Sequence, residues 1–453
     1  MVVALCATVV SDEQARGELA DVLGTDPVSA AAFAARLLAD PHPLVAAGAG
    51  AWVRPARETT RIRQWRAELP AAVDTGDIPS QEEIDRWAAE RTFGLIERFP
   101  IDVSKDVVCL LATALAARVS WEVPFEVVDA AALGPSRWPA GLRRVLRPPP
   151  GDPRHRQYLA HTDRAGTVGV HLTGARGGLL VGSVIAADAA APASDVLAAA
   201  EEIVTAEARR AGSVTRLSLY DLPLGDGPVW SISEQRADTT APDGREEQVS
   251  CVLPAWSART SLDLGHDEVL GFEAAARALA QALELGEWRY DARQVAMARY
   301  SAVGFEAAAV TGLAVLMSAK VSRPGRRRVA TLRFAHPFAV VAAAFDDHRA
   351  HASPAPTAWH GLPVFSAWVS KPTDAEPAPL RHRVEPQQGA KAADQHRNHR
   401  AVSAALEDDR FARPPEPRKP QRSWPARSRA RAAPSRRALS PPRSPASRPA
   451  TRP

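Results

Sequence analysis

Residues 304–319 read GFEAAAVTGLAVLMSA, and Glu306 is their single charged side chain. The alanine content favours a helix. Alternation favours a strand, because the series of every second residue from Phe305 to Met317 lacks a charge, while the series from Glu306 to Ser318 contains one. A strand buried on one face has this period of two. Taken by itself, the stretch leaves a helix and a strand open.

Four other segments have the signals of helices. An Asp that can cap a helix begins residues 12–23 and residues 26–39. A capping box, SQEE at residues 80–83, precedes an apolar stripe that includes Ile84 and Trp87. Residues 272–285, FEAAARALAQALEL, are amphipathic at helical spacing.

Strands are predicted where β-branched or aromatic side chains alternate between Gly, Pro or Asp breaks. Helices early in the chain followed by strands are typical of an α+β fold. The predicted strands are residues 167–170, 178–185, 214–220, 229–234, 247–253, 328–334, 338–343 and 364–369.

Residues 107–117, VVCLLATALAA, are uncharged between Asp106 and Arg118. Their periodicity does not distinguish a buried helix from a central strand that is covered on both faces. The Ala and Leu half favours a helix and the Val half a strand, so both interpretations stay open on the residues alone.

The composition changes after Pro372. Residues 411–453 contain eleven prolines, and their eleven Arg and one Lys stand against the single Glu416. Such a segment buries too little apolar area to offset the entropy of ordering, and we expect residues 373–453 to be a disordered Arg/Pro/Ser-rich tail. Its functional interpretation is a basic arm for nucleic acid; the alternative is an adventitious extension from a shifted reading frame. The net charge of the whole chain is +4 and that of residues 411–453 is +11, so the remaining residues together carry −7.

Three cysteines, Cys6, Cys109 and Cys251, lie far apart in the sequence. No paired spacing indicates a zinc or redox site, so we expect free thiols, no metal and no cofactor. The N-terminus has no basic flank of a secretory signal, and no run has the roughly 18 apolar residues of a membrane span. The chain as written is therefore expected in the cytoplasm, without membrane contact.

Two regions resemble the serpin family. Residues 83–125 are similar to the serpin segment in which a helix ends in Thr-x-Gly-x-Ile and leads to a long central strand closed by Trp-x-x-Pro-Phe. Downstream, FAHPFAVV at 334–341 and GLPVFSAWVSKP at 361–372 resemble two later serpin strands. The residues that match the first region are Trp87, Thr92, Gly94, Ile96, Trp121, Pro124 and Phe125.

The opening stretch resembles the serpin reactive-loop hinge. The matching residues are Gly304, Phe305, Glu306, Ala307, Ala308, Ala309, Val310 and Thr311. The resemblance implies an α+β serpin-like fold over residues 1–372, with the front elements of the family missing. That fold has a large central mixed β-sheet, a second β-sheet packed behind it, surrounding helices and an exposed reactive loop. It also implies that residues 107–117 form the central strand.

The function that the resemblance implies is serine-protease inhibition, not enzymatic catalysis. A serpin-like loop is cleaved as a suicide substrate and inserts into the central sheet. The family register places the reactive bond at Ser318-Ala319, with alternates at Met317, Lys320 and Arg323. Ser318 implies an elastase-like or subtilisin-like partner and Lys320 a trypsin-like one. We expect a monomer, and the family resemblance also allows an extracellular location.

Three positions depart from the family pattern. Phe305 stands where Thr or Ser is usual, Phe93 replaces Asn or His, and Thr113 replaces Asn. A ring at the first side chain to be buried slows insertion, and a slowly inserting loop is cut as a substrate. The alternative function is therefore a non-inhibitory or degenerate serpin-fold protein with a binding or structural role.

Overall fold

The computed structural model describes residues 1–117, 119–138, 140–175, 177–211, 214–304, 323–346 and 356–376. Within these ranges the chain forms seven α-helices and seventeen β-strands. The helices are α1 (Val2–Cys6), α2 (Glu13–Leu23), α3 (Pro27–Ala39), α4 (Thr60–Glu68), α5 (Gln81–Arg91), α6 (Ala193–Ala208) and α7 (Phe272–Ala282).

The strands are numbered in the same way, in chain order. They are β1 (Val45–Val53), β2 (Val73–Gly76), β3 (Cys109–Ala117), β4 (Glu126–Asp129), β5 (Arg144–Arg147), β6 (His155–Thr162), β7 (Gly166–Ala175), β8 (Leu179–Ala186), β9 (Thr215–Leu217), β10 (Gly225–Asp226), β11 (Trp230–Thr239), β12 (Arg245–Val252), β13 (Trp256–Asp263), β14 (Arg293–Tyr300), β15 (Arg323–Arg333), β16 (Phe338–Ala344) and β17 (Pro363–Val369).

The four predicted helices are confirmed as α2, α3, α5 and α7. Asp12 accepts a hydrogen bond from the Ala15 amide over 3.0 Å, and so caps α2. The capping box of α5 is complete, since the Glu83 carboxylate also accepts a hydrogen bond from the Ser80 amide over 2.8 Å. These ends are set by local hydrogen bonds, which is why the sequence located them.

Within residues 107–117 the chain forms a strand and not a helix, since Cys109–Ala117 is β3. β3 pairs antiparallel with β1 along its whole length, from Cys109↔Val53 to Ala117↔Val45. β1 has no counterpart among the predicted strands, because its sequence VAAGAGAWV is rich in Gly and Ala, which are depleted in strands. Pairing with β2 on one side and β3 on the other holds it extended.

The strands of the expected central sheet form two parts. One is the mixed three-stranded sheet β2-β1-β3, in which β1 runs parallel to β2 and antiparallel to β3. The other is the antiparallel pair β13-β14. An antiparallel bridge between Ser120 and Gly304 joins the two parts just beyond β3 and β14.

A second, six-stranded sheet has the order β17-β16-β8-β7-β6-β9. Helix α6 packs on one face, where Val196, Ile203 and Val204 are buried. The approach is close, since a side chain at Gly182 of β8 would collide with Val204. The opposite face, which includes Phe338 of β16, contributes to the largest core cluster among the described residues, which also contains Trp230 and Phe334 of neighbouring segments.

Two smaller sheets complete the described chain, β10-β11-β15-β12 and β4-β5. Among the described elements, three helices and eight strands were not predicted, namely α1, α4, α6, β1, β2, β4, β5, β6, β10, β13 and β14. The predicted strand at 214–220 is short, and only Thr215–Leu217 pairs, with β6. Past Pro372 the chain still contacts the body, because Asp374 accepts from the amides of Arg143 and Arg144 over 2.7 and 3.1 Å. The assignment of 373–453 to a disordered tail stays a prediction.

The three cysteines are free thiols, as expected. Among the described residues no group of three or more His, Cys, Asp or Glu side chains could hold a metal ion. No single helix of the described ranges is long and apolar enough to cross a membrane; α2 and α3, bent by 50°, pass that test only as a pair, by length and composition.

Candidate functional site

The predicted site lies between two described anchors. The first anchor is Gly304, which follows β14, and the second is Arg323, where β15 begins. Phe305, Glu306, Ala307, Ala308, Ala309, Val310 and Thr311 of the hinge lie outside the described residues, as do Met317, Ser318, Ala319 and Lys320.

Residues 301–304, with Ser120, Trp121 and Phe125, form what we term the hinge anchor. Three hydrogen bonds to the backbone of residues 301–303 hold it together. The amide of Phe125 donates to the carbonyl oxygen of Ala302 over 2.8 Å, and that of Trp121 to Val303 over 3.4 Å. The buried indole nitrogen of Trp121 donates to the carbonyl oxygen of Ser301 over 2.8 Å.

Gly304 requires glycine for two reasons. Its φ of 88° lies in the left-handed region, which residues with a Cβ rarely adopt. A Cβ there would also collide with the carbonyl oxygen of Val119 and lie 2.9 Å from the Cα of Ser120. The chain therefore leaves the sheet at a point where the backbone of the hinge touches the backbone that follows β3.

An aromatic cluster packs under the hinge anchor. The ring centroid of Trp121 lies 4.9 Å from that of Tyr300 and 5.8 Å from that of Phe125. Trp256 stacks on Tyr300 at 6.0 Å. All four rings are buried, so the hinge rests on a dry and tightly packed support. Trp121 and Phe125 stand in sequence motifs, whereas Tyr300 and Trp256 were not predicted, although an aromatic residue four positions before Gly304 was a visible signal.

Two buried histidines lie against the ring of Phe125. The His155 centroid is 4.8 Å from that ring and the His171 centroid 5.4 Å. Their side chains hydrogen-bond to each other, Nδ1 of His155 to Nε2 of His171, over 3.2 Å. The other nitrogen of His155 lies 2.9 Å from the carbonyl oxygen of Val123.

Burial decides the charge of this pair. Desolvation lowers the pKa of His155, against an opposing hydrogen bond to Val123. Desolvation and the neighbouring His155 hold the pKa of His171 well below its usual value. Both rings are therefore neutral at pH 7. The neutral pair is consistent with a donor on Nε2 of His155, a donor on Nε2 of His171, and an acceptor on Nδ1 of His155.

A cleft of about 740 Å³ separates the two parts of the central sheet. We term it the sheet cleft. β3 and β14 line it, together with residues of α5 and α7 such as Ala88, Ala275 and Leu279. Within the described chain β3 pairs only with β1, and β14 only with β13. The backbone groups on their facing edges therefore have no ladder partner among the described residues.

The β3 side of the sheet cleft presents uncharged side chains. Thr113 and Leu115 of β3 are exposed in it, Leu115 by 44%. Burial raises the pKa of the Cys109 thiol to about 12, so that it is not a nucleophile at neutral pH. The cleft is suited to receive a chain segment with small or apolar side chains.

The other motif residues have structural roles. The Thr92 hydroxyl donates to the carbonyl oxygen of Ala88 over 2.7 Å and accepts from the Ile96 amide over 3.0 Å, so it closes the turn after α5. Phe93 takes a positive φ of 55° in this turn. The pKa of His336 is lowered by burial, and its Nδ1 lies 3.0 Å from the Pro337 carbonyl oxygen.

A second cavity, of about 550 Å³, lies at the end of α6. Arg156, Arg210 and Arg216 line it, and Glu207 is the one carboxylate among the described residues of the lining. Glu207 accepts 2.6 Å hydrogen bonds from both Arg156 and Arg216. Burial acts to raise the pKa of the Glu207 carboxyl, but the hydrogen bonds and charges of Arg216 and Arg156, with a hydrogen bond from Tyr158, together hold it below the usual value. The cavity thus combines net positive charge with apolar walls, including Leu180, Val214 and Phe345.

No protein-family model matches the chain, and no curated protein matches it in sequence. Two solved human structures are similar in fold. Thyroxine-binding globulin in complex with thyroxine aligns over 82% of this chain and 90% of its own, at 12% identity and a TM-score of 0.51. Glycosylated kallistatin aligns over 83% of this chain and 89% of its own, at 14% identity and a TM-score of 0.50. Both are serpins, and at these identities the likeness establishes the fold alone.

Proposed function

This chain has the serpin fold, and we propose that it inhibits a serine protease as a suicide substrate. In this mechanism the protease cuts within residues 305–322, and the freed segment inserts into the sheet cleft between β3 and β14. The observation that carries the proposal is the bridge between Ser120 and Gly304, because it is antiparallel and stands at the mouth of the cleft.

The bridge supports a register for the inserted strand. Continued along β3 from Ser120↔Gly304, antiparallel pairing sets Ala309 opposite Leu115, Thr311 opposite Thr113 and Leu313 opposite Leu111. Directly opposed side chains share a face of the sheet. The uncharged series that starts at Phe305 would therefore lie on the face of Leu111 and Leu115.

The face of β3 that carries Leu111 packs against apolar side chains. Leu111 packs against the core cluster of α1, α2 and α7, which includes Cys6 and Ala275. Each large apolar side chain that becomes buried contributes about 1.5–3 kcal/mol, and each new backbone hydrogen bond about 1 kcal/mol. The intact loop is held at Gly304 and again at Arg323 of β15, so cleavage is what releases it.

The reactive bond that we propose is Ser318-Ala319, which suits an elastase-like or subtilisin-like protease. Lys320 would suit a trypsin-like protease, and Met317 is a further alternate. The distinction matters for the experiment, because the cleaved bond identifies the class of the partner.

The test is to mix the purified chain with elastase-, subtilisin- and trypsin-like enzymes, and to search for a covalent complex that survives denaturing electrophoresis. Mass spectrometry of the released fragment locates the cut. We expect a complex for one class of enzyme, with a cut at or next to Ser318.

A matched pair of variants tests insertion itself. Thr311→Arg puts a charge in the series that would be buried, and it should convert the inhibitor into a substrate that is cut without forming a complex. Ser322→Arg carries the same charge beyond the proposed cut and should leave complex formation intact with an elastase-like enzyme. Cleavage of the wild-type chain without any complex would exclude inhibition.

A second candidate function, that of a carrier for a small anion, is favoured by the cavity at the end of α6. Among the described residues of the lining three Arg side chains stand against one Glu, Glu207, and the apolar walls suit a ligand with an aromatic or alkyl body. The fluorescent arylsulfonate 8-anilinonaphthalene-1-sulfonate can serve as the probe. Binding that weakens at least about fivefold in Arg210→Gln, in a chain that forms no protease complex, would favour this function.

A further inference from the structure

Three arginines lie in one row across the sheet that holds the far anchor of the loop. In the pairing of β11 with β15, Arg236 is directly opposite Arg326. In the pairing of β12 with β15, Arg245 is opposite the same Arg326. All three residues are exposed, and we term them the arginine row. Neighbouring strands are about 4.8 Å apart, so the row is about 10 Å wide.

The arginine row is poorly neutralised within the chain. Glu234 approaches Arg326 at 3.4 Å, but it also binds Arg328 at 3.0 Å. In the described part of the chain no carboxylate oxygen lies within 4.0 Å of the guanidinium nitrogens of Arg236 or Arg245, although the Asp243 carboxylate accepts from the backbone amide of Arg245 over 3.0 Å. The Arg245 guanidinium only lies over the Tyr220 ring, at 5.2 Å. Since like charges directly opposite each other destabilise a sheet, this row costs free energy while it is unoccupied.

The next row on the same face of the sheet is different. There Glu234 and Glu247 are opposite Arg328, one on each side. This face thus has one row with two carboxylates and one guanidinium, Glu-Arg-Glu, and one row with three guanidinium groups, Arg-Arg-Arg. The arginine row is the one nearer the loop, three residues after β15 begins at Arg323. At about 3.3 Å per residue this separation is about 10 Å.

We propose that the arginine row is a docking surface for acidic side chains of the protease that cuts the loop. This inference rests on the proposed function. A protease that holds the loop near Ser318 lies over the end of β15, where its surface can reach the row. Acidic side chains at that point would relieve the repulsion among the three guanidinium groups and would also steer the encounter.

A polyanion such as nucleic acid or a sulfated polysaccharide is the less suitable partner. The row is narrow, and the adjacent Glu234 and Glu247 would repel a chain of negative charges that continued along the strands. Two or three carboxylates on a folded protein match its width and its isolation.

The test measures the association rate constant between the full chain and the protease that forms the covalent complex. The variant carries Arg236→Glu and Arg245→Glu. The control carries Arg36→Glu and Arg57→Glu, which make the same change in net charge at exposed sites on α3 and before α4. Circular dichroism verifies that both variants fold. If the double Glu variant does not fold, the variant with Arg236→Ala and Arg245→Ala takes its place.

We expect the row variant to associate about tenfold more slowly than the control at low ionic strength, with the difference lost at high salt. The stoichiometry of inhibition should not change, because insertion does not involve the row. If the wild-type chain forms the covalent complex but the two variants have equal association rate constants, the docking surface is overturned and the proposed function stands. A wild-type chain that forms no complex with any protease would overturn the proposed function, and this surface with it. The proposal would also be overturned if the row variant lost binding to heparin while its association rate constant with the protease stayed unchanged. That result would assign the row to a polyanion.

Discussion

The indole nitrogen of Trp121 donates a 2.8 Å hydrogen bond to the carbonyl oxygen of Ser301, 180 residues further along the chain. Trp121 follows β3 and Ser301 follows β14, so this buried bond ties together the two parts of the central sheet. Below it the parts separate around the sheet cleft. The contact point is therefore where an inserting strand would begin.

Trp121→Phe tests that bond. The substitution removes the donor and leaves a buried carbonyl oxygen without its partner, so we expect a loss of about 2 kcal/mol in the free energy of unfolding. Chemical denaturation measures this loss, and hydrogen exchange of residues 300–304 should become faster. Trp138→Phe is the control, because Trp138 makes the same kind of bond, 2.7 Å to the Phe334 carbonyl oxygen. If both variants leave exchange of the hinge unchanged, Trp121 does not hold it.

Gly304→Ala tests the bridge to Ser120. The added Cβ would strike the Val119 carbonyl oxygen, and the residue would be strained at a φ of 88°. We expect a loss of at least about 2 kcal/mol in the free energy of unfolding. Gly24→Ala is the control. The residue has a similarly strained φ of 65°, but nothing lies within 4 Å of the added carbon, so the free energy of unfolding should fall by only about 1 kcal/mol. Equal losses would mean that the contact with Val119 is relieved by a small shift.

Phe305→Thr tests the residue that the sequence identified as unfavourable for insertion. A smaller first side chain should let the cut loop insert faster, so that more encounters end in a covalent complex and fewer in release of the cleaved inhibitor. Titration of the protease should give a stoichiometry of inhibition closer to one in the variant. A higher stoichiometry than in the wild type would contradict the register proposed for the inserted strand.

The buried histidine pair makes stability depend on pH. The folded-state pKa values of His155 and His171 are both lowered, chiefly by burial, from a value near 6.5. Below that pH the unfolded chain binds protons that the folded chain excludes, so the free energy of unfolding falls as the pH falls. The slope reaches about 1.4 kcal/mol per pH unit for each histidine. Nearby charges act in opposite directions, since Asp152 favours protonation of His155 and Arg154 opposes it.

Denaturant titrations between pH 7.5 and roughly pH 5.5 measure that slope, within the range where His charges change. His171→Gln should flatten it, because the amide can still donate to His155 but takes up no proton. His161→Gln, at an exposed site on β6, is the control and should leave the slope unchanged. A wild-type stability that is constant over this range would exclude the pair as a source of acid sensitivity.

Much of the local structure could be predicted from the sequence because it depends on neighbouring residues. The caps at Asp12, Asp26 and Ser80 fixed the starts of three helices within one turn. The eleven uncharged residues at 107–117 were ambiguous, since both a helix and a buried strand hide every side chain. Only the ladder to β1 made them a strand.

Part of the candidate site was also accessible from the sequence. Trp121, Phe125 and Gly304 stood in recognisable motifs, and the structure brings all three together at the hinge anchor. Tyr300 and Trp256 were missed because their role is to stack on Trp121 and on each other, and that contact has no local signal. His155 and His171 were missed for the same reason, since they meet across two strands.

By itself, then, the sequence determined the starts of three helices, eight of the seventeen strands in the described ranges, the opposite charge of the body and the last 43 residues, and the alternation of residues 304–319. These properties depend on composition and on spacing along the chain. The tertiary structure alone decided that the central sheet is divided by a cleft, that Gly304 bridges to Ser120 at its mouth, and that three arginines align beside the far anchor. Each of these needs strands that are distant in sequence to be set in register, and register is fixed by hydrogen bonds between strands and not by either strand alone.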